Sequence, residues 1–246
     1  MGKYILKRIA LAFVTIWGVA TITFFLMDLV PGGPFLSEKA ISPAATEALE
    51  AKYGLDKPMA ERYFTYISDA AHGDFGDSLK QRGRTVMDII ATKFPVSAKL
   101  GGMAVILALC VGVPLGVLAA YKRGTFIDSL FSVIATCGIA VPGFVICTLL
   151  LYVFGVKLQW LPTLGLKSAQ SYIMPVVALA AYPTSYIMRL MRSSMLDVLG
   201  QDYMRTAKAK GLSQKVSLFK HALRNAILPV ITYVGPMLAY TLTGSF

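Results

Sequence analysis

Apolar positions along the chain gather in runs of about 20 residues, long enough to cross roughly 30 Å of hydrocarbon as helices, with polar segments between them. The first run covers 9–30 behind the basic flank Lys3, Lys7 and Arg8, and Pro31-Gly32-Gly33-Pro34 stops it. It is too long for the apolar part of a signal peptide, so it reads as a retained first span with the N-terminus in the cytoplasm. Residues 35–97 turn polar and carry helix punctuation. Ser42-Pro43 opens a segment that Gly54 closes, Pro58 opens another that ends near Gly73, and Thr85 with Asp88 forms a capping box for a third. This stretch is predicted to be a small helical insert on the extracytoplasmic side.

Four further apolar runs follow. A second span at 98–121 contains Gly112 and Gly116, a small-xxx-small pair that lets helices approach closely, with Pro114 between them. A third at 129–154 carries Pro142-Gly143 in its middle, and the return loop offers Trp160 as an interface anchor. A fourth at 172–191 holds Pro175 and Pro183 and ends at Arg189 and Arg192, and a fifth covers 226–246. Its abrupt stop predicts a longer natural protein with at least one more span. The fold class is therefore an all-α integral membrane protein, a polytopic helix bundle with five spans. It divides into 1–34 (N-terminal flank and first span), 35–97 (insert) and 98–246 (membrane core). Pro114, Pro142-Gly143, Pro175 and Pro183 are either bends around a pathway or ordinary kinks.

Composition agrees: 56% of residues are hydrophobic and 15% charged, against about 25% charged in soluble domains. The net charge of +11 would suit nucleic acid by its sum, but its placement in short loops is what membrane insertion requires. Nucleic acid is excluded as a partner, and the lipid bilayer takes its place. Cys110, Cys137 and Cys147 lie in apolar runs without ligand spacing. His72, Asp74 and Asp77 stand in a Gly-rich turn and read as solvated loop, not as a metal site. His221 receives no chemistry. No Ser-His-Asp set, HExxH motif or GxxxxGK[ST] phosphate loop occurs. Ionisable residues are missing from mid-span, Asp28 and Arg189 lying near the ends, which weakens an ion-coupled secondary transporter.

The loop at about 193–225 is the exception to this plainness. Between Arg189 and Arg224 there are eight Lys or Arg against Asp197 and Asp202. Insertion explains the sign but not the order. Residues 202–210 read as a short helix with Tyr203, Met204 and Ala207 on one side. Gly211 stops it, Ser213 caps the next, and Val216, Phe219 and Leu223 recur at helical spacing. Two short helices around a glycine turn form a knob that suits a groove on another protein, an anionic lipid surface or, in form alone, a helix-turn-helix.

The run Asp202-Tyr203-Met204-Arg205-Thr206-Ala207-Lys208-Ala209-Lys210-Gly211-Leu212-Ser213, followed by His221-Ala222-Leu223-Arg224-Asn225-Ala226 and Leu228-Pro229, resembles the EAA loop of ABC importer permeases in its dipeptide and oligopeptide form. "MDLVPGGPF", "YGLDKPMAERYFTYI", "HGDFGDSL", "GVPLGVLAAYKRGTFID" and "RLMRSSMLDVLGQDY" agree, so the resemblance covers essentially the whole chain. Arg205-Thr206-Ala207 stands where the general motif has Glu-Ala-Ala, a departure usual in the peptide group, and the family has six spans against five here. The resemblance implies a type I importer in a bacterial-type cell membrane, multi-pass. A solute-binding protein delivers substrate, a second homologous permease completes the channel, and two ABC ATPases use ATP and Mg. This chain would be a transport subunit, not an enzyme, with no cofactor or metal of its own. Asp202, Tyr203, Arg205, Thr206, Ala207, Lys208, Ala209, Lys210, Gly211 and Leu212 would couple it to the ATPase. Peptides are the expected cargo. Nickel or another small solute is the alternative, and no substrate-binding residue is assigned.

Overall fold

A computed structural model of the chain describes residues 1–29, 54–78, 80, 81 and 83–243. The expected Pro31–Pro34 stop and the start of the helix predicted from Ser42-Pro43 lie outside these residues. The described chain is helical, without a named strand among the described residues; a lone antiparallel bridge joins Asp77 and Thr85. It forms two compact units, Met1–Thr92 and Lys93–Phe246.

In the first unit α1 (Gly2–Leu29) meets α2 (Met59–Ala71). Arg62 pairs with Asp28 at 2.7 Å, and the Thr21 and Tyr63 hydroxyls are 2.8 Å apart. Phe24 stacks on Tyr66 and Phe25 on Tyr63. After α2, His72 Nδ1 lies 2.7 Å from the Ser68 carbonyl oxygen and Asp74 accepts from the Gly76 N–H at 2.8 Å, so both side chains serve the turn. The capping box is present: the Asp88 N–H donates to Thr85 Oγ1 at 3.0 Å and the Thr85 N–H to Asp88 Oδ2 at 3.4 Å.

That box opens α3 (Val86–Tyr121), one helix of 36 residues that runs on through Pro95 and Pro114. The predicted start of the second span at 98 thus falls inside a helix that begins twelve residues earlier. The third span bends at Pro142-Gly143, one of the candidate breaks in the sequence. Val141 is extended (φ −80°, ψ 122°) ahead of Pro142, because the proline ring disfavours helical backbone in the residue before it. The run therefore splits into α4 (Phe126–Ala140) and α5 (Gly143–Leu150), the latter continuing as π turns over Leu151–Lys157. The two arms meet at 101°. The run is a broken span or a re-entrant loop.

A 3-10 turn (Ala169–Tyr172) leads into α6 (Ile173–Leu199), which runs eight residues beyond the predicted end at 191. Pro175 stands in its first turn, where a missing N–H costs nothing. Then come α7 (Asp202–Ala209), α8 (Gln214–Val216) widening to π turns over Ser217–Ala222, α9 (Leu223–Ala226) and α10 (Leu228–Thr243). The last two meet at a 45° bend. Among the described residues three helices are long and apolar enough to cross a membrane, or up to five if each bent pair is one span.

Small residues hold the second unit together, as membrane packing requires when burial from water gives no drive between helices. A Cβ placed on Gly116 would lie 2.6 Å from the Met188 carbonyl oxygen, and one on Gly112 2.8 Å from that of Thr184. The α3 and α6 backbones meet at these two glycines. A Cβ on Gly101 would lie 3.0 Å from the Thr241 carbonyl oxygen, so α10 approaches the same helix further along.

Candidate functional site

The loop after α6 shares its core with the spans. Met204 of α7, Ala222, and Ala226 of α9 are buried in one cluster with Val117, Met191, Met195, Val230 and Met237. Burying a methionine fully is worth about 1.5–3 kcal/mol, so α7 is seated, not trailing.

Local chemistry fixes the shape. The Gln201 carbonyl accepts from the Met204 N–H at 3.0 Å, and Asp202 brings negative charge to the helix start, where it is favourable. Tyr203 is half exposed, and its hydroxyl accepts from Asn225 Nδ2 at 3.0 Å, tying α7 to α9. Thr206 Oγ1 donates to the Asp202 carbonyl at 3.1 Å. The helix ends as predicted. Gly211 adopts φ +75°, a conformation that costs other residues about 1–2 kcal/mol, and the Leu212 N–H reaches back to the Ala207 carbonyl at 3.3 Å, the six-to-one bond of a Schellman turn. Ser213 then accepts from the Val216 N–H at 3.4 Å.

Of the predicted residues, Ala207 faces inward beside Met204. Asp202, Tyr203, Arg205, Thr206, Ala209, Lys210, Gly211 and Leu212 are exposed, and Lys208 falls on the same helix. Arg205 reaches Asp202 at 3.5 Å, both in solvent, where such a pair contributes little.

The next helix buries its small residues. Val216 and Phe219 are exposed, while Ser217, Ala222 and Ala226 are buried. Ser217–Ala222 has π geometry: hydrogen bonds closing over five residues widen the turn, so the buried positions do not recur at 3.6 residues. Exposed Tyr203, Leu212, Val216 and Phe219 thus accompany the basic residues. Below them, Tyr121, Leu199, Met204, Leu212, Gln214, Ser217 and Leu218 line a cavity of about 380 Å³.

One element was not anticipated. Arg192 of α6 grips Asp128 of α4 with Nε at 2.6 Å and Nη2 at 2.8 Å, and the Gly124 N–H donates to the same carboxylate at 3.1 Å. The Asp128 side chain is 8% exposed. Reading Arg192 only as an insertion signal hid its partner; an acid in the first turn of a span was the available clue.

A glycine-turned loop seated on apolar helices that close over small residues defines a multi-pass membrane protein. The chain belongs to the family of binding-protein-dependent transport system inner membrane components, whose model matches residues 112–246. A companion model, described as the N-terminal part of such membrane components, matches residues 1–101. It is therefore a multi-pass inner-membrane transport component.

Among named relatives, the oligopeptide transport system permease protein OppB of Salmonella typhimurium is 44% identical over all of this chain and 81% of its own length. The OppB of Escherichia coli is 42% identical over the same shares. The dipeptide transport system permease protein DppB of Bacillus subtilis is 44% identical over all of this chain and 80% of its own length.

Proposed function

We propose that this chain is one half of the translocation channel of an ATP-driven importer for peptides. The observation that carries this reading is likeness at 42–44% identity over the whole chain to permeases named for oligopeptide and dipeptide transport. Those names favour neither nickel nor ion coupling.

On this reading a solute-binding protein delivers the peptide, a second permease completes the channel, and two ATPases supply the work. The knob centred on α7 is the part that meets the ATPase. Arg205 and Lys210 offer positive charge to an acidic groove rim, and Tyr203, Leu212, Val216 and Phe219 offer apolar contact. The seating of Met204 supports this role, because a knob that shares the core of the spans moves with them.

Gly211→Asp tests the coupling. It should abolish ATP-driven peptide uptake in proteoliposomes while the protein stays in the membrane. Undiminished uptake with normal ATPase attachment would overturn it. The class is tested by what co-purifies in mild detergent: ATPase subunits and a second permease are expected, and uptake by this chain alone on a proton gradient would sink it.

A further inference from the structure

Hydroxyls in a membrane helix need a partner, since no water is at hand. Several threonines here find it on their own backbone. Thr15 donates to the Leu11 carbonyl, Thr136 to Ser132, Thr148 to Phe144, Thr232 to Leu228 and Thr241 to Met237. A tyrosine cannot do this, because its hydroxyl sits at the far end of a rigid ring. Tyr63 and Tyr203 are satisfied by Thr21 and Asn225.

Nine others have no hydrogen-bond partner among the described residues, and four of these come from two neighbouring helices: Tyr182 and Tyr186 of α6, Tyr233 and Tyr240 of α10. They lie together. Ring centroids run from Tyr240 to Tyr182 at 6.2 Å, on to Tyr186 at 6.3 Å and to Tyr233 at 4.3 Å. Tyr182, Tyr186 and Tyr240 are exposed, and Tyr233 is half-buried. This is one file of phenols extending up to about half the roughly 30 Å hydrocarbon thickness. By contrast α1 presents Ile9, Phe13, Ile16, Val19 and Ile22 on its open surface, which is what lipid accepts.

We infer that this file is the resting place of the transported peptide's main chain, an inference that rests on the peptide-importer reading above. An extended peptide advances about 3.3 Å per residue, so its groups recur on one face about every 6.6 Å. Two of the three ring-to-ring steps fall close to that. Phenol O–H groups donate to and accept from any peptide amide irrespective of side chain. Single neutral hydrogen bonds are weak enough to release the cargo onward, as a conduit requires.

The test uses the complete transporter in proteoliposomes, with its ATPases, second permease and binding protein, and trialanine as the probe. Replacing three hydroxyls together, Tyr182→Phe, Tyr186→Phe and Tyr240→Phe, should cut uptake by about five- to tenfold. Equal uptake by this variant and the wild type would overturn the ladder alone. Failure of the wild-type assembly to take up trialanine would overturn the peptide reading and the ladder with it. Should the triple variant fail to assemble, Tyr240→Cys decides in a chain whose Cys110, Cys137 and Cys147 are replaced by Ala. A membrane-impermeant thiol reagent should label it, and trialanine-loaded binding protein should slow the labelling. No labelling, as lipid or the second permease covering this face would give, or labelling indifferent to peptide, would overturn the inference.

Discussion

α1 and α3 are both apolar enough to cross a membrane, yet 44% of the most apolar stretch of α3 is buried and none of α1's. The difference lies in side-chain size. Along α3 the buried positions include Gly101, Ala104, Ala108, Gly112, Gly116, Ala119 and Ala120, whereas Gly18 of α1 has nothing within 4 Å of where a Cβ would be. Hydropathy says which segments enter a membrane; small residues on one face say which of them other helices touch.

The sharpest break of that comparison is Gly116→Val. Its branched side chain would collide with the Met188 carbonyl and Met191 Cβ, and parting two backbones costs about 3 kcal/mol or more. Loss of monodisperse protein in detergent is expected; a normal elution profile and thermal midpoint would refute the close approach. Next comes Asp128→Asn, which leaves Arg192 without its counter-charge. Because Arg192 is 31% exposed, the cost falls below that of a fully buried pair, at about 2 kcal/mol. Asp28→Asn in the first unit should cost less, because Arg62 meets Asp28 through one nitrogen at 2.7 Å, whereas Asp128 holds two nitrogens of Arg192 and the Gly124 N–H. Thermal unfolding of the two variants side by side checks the order, and a reversed order would contradict it. The smallest effect belongs to Gly18→Ala, where open space and better helix propensity predict no loss and a gain of up to about 1 kcal/mol. A measurable drop in the midpoint would show that α1 does pack at Gly18.

The sequence conveyed some of this directly. The Thr85–Asp88 box, the Gly211 stop and the Ser213 cap were legible because each depends on residues within a few positions of one another. The Gly112–Gly116 pair was legible as a packing motif, but not the partner it meets. Three features were hidden for physical reasons. Pro142-Gly143 was legible as a candidate bend, but not that it alone turns the chain by 101°, since α3 and α6 both continue through prolines of their own. The face that the helix after Ser213 buries was hidden because π turns over Ser217–Ala222 change the period. Asp128 and Arg192 are 64 positions apart, and nothing local joins them. The tyrosine file was equally hidden, since only folding brings α6 and α10 side by side.

The join between α6 and α7 bears on how the molecule could do work. α6 is a single rod of 27 residues, about 40 Å long. Only Gly200 and Gln201 separate it from the knob, and the Gln201 N–H is itself held by the Val198 carbonyl at 3.1 Å. There is no slack in that mount. Along the rod lie the Arg192 clamp and the backbone seats at Gly112 and Gly116, so under the proposed coupling a stroke of a few ångströms at the knob would become a rocking of the far end and not a local dent. The same rod carries Tyr182 and Tyr186, so the two proposals made above would place hand and tool on one lever.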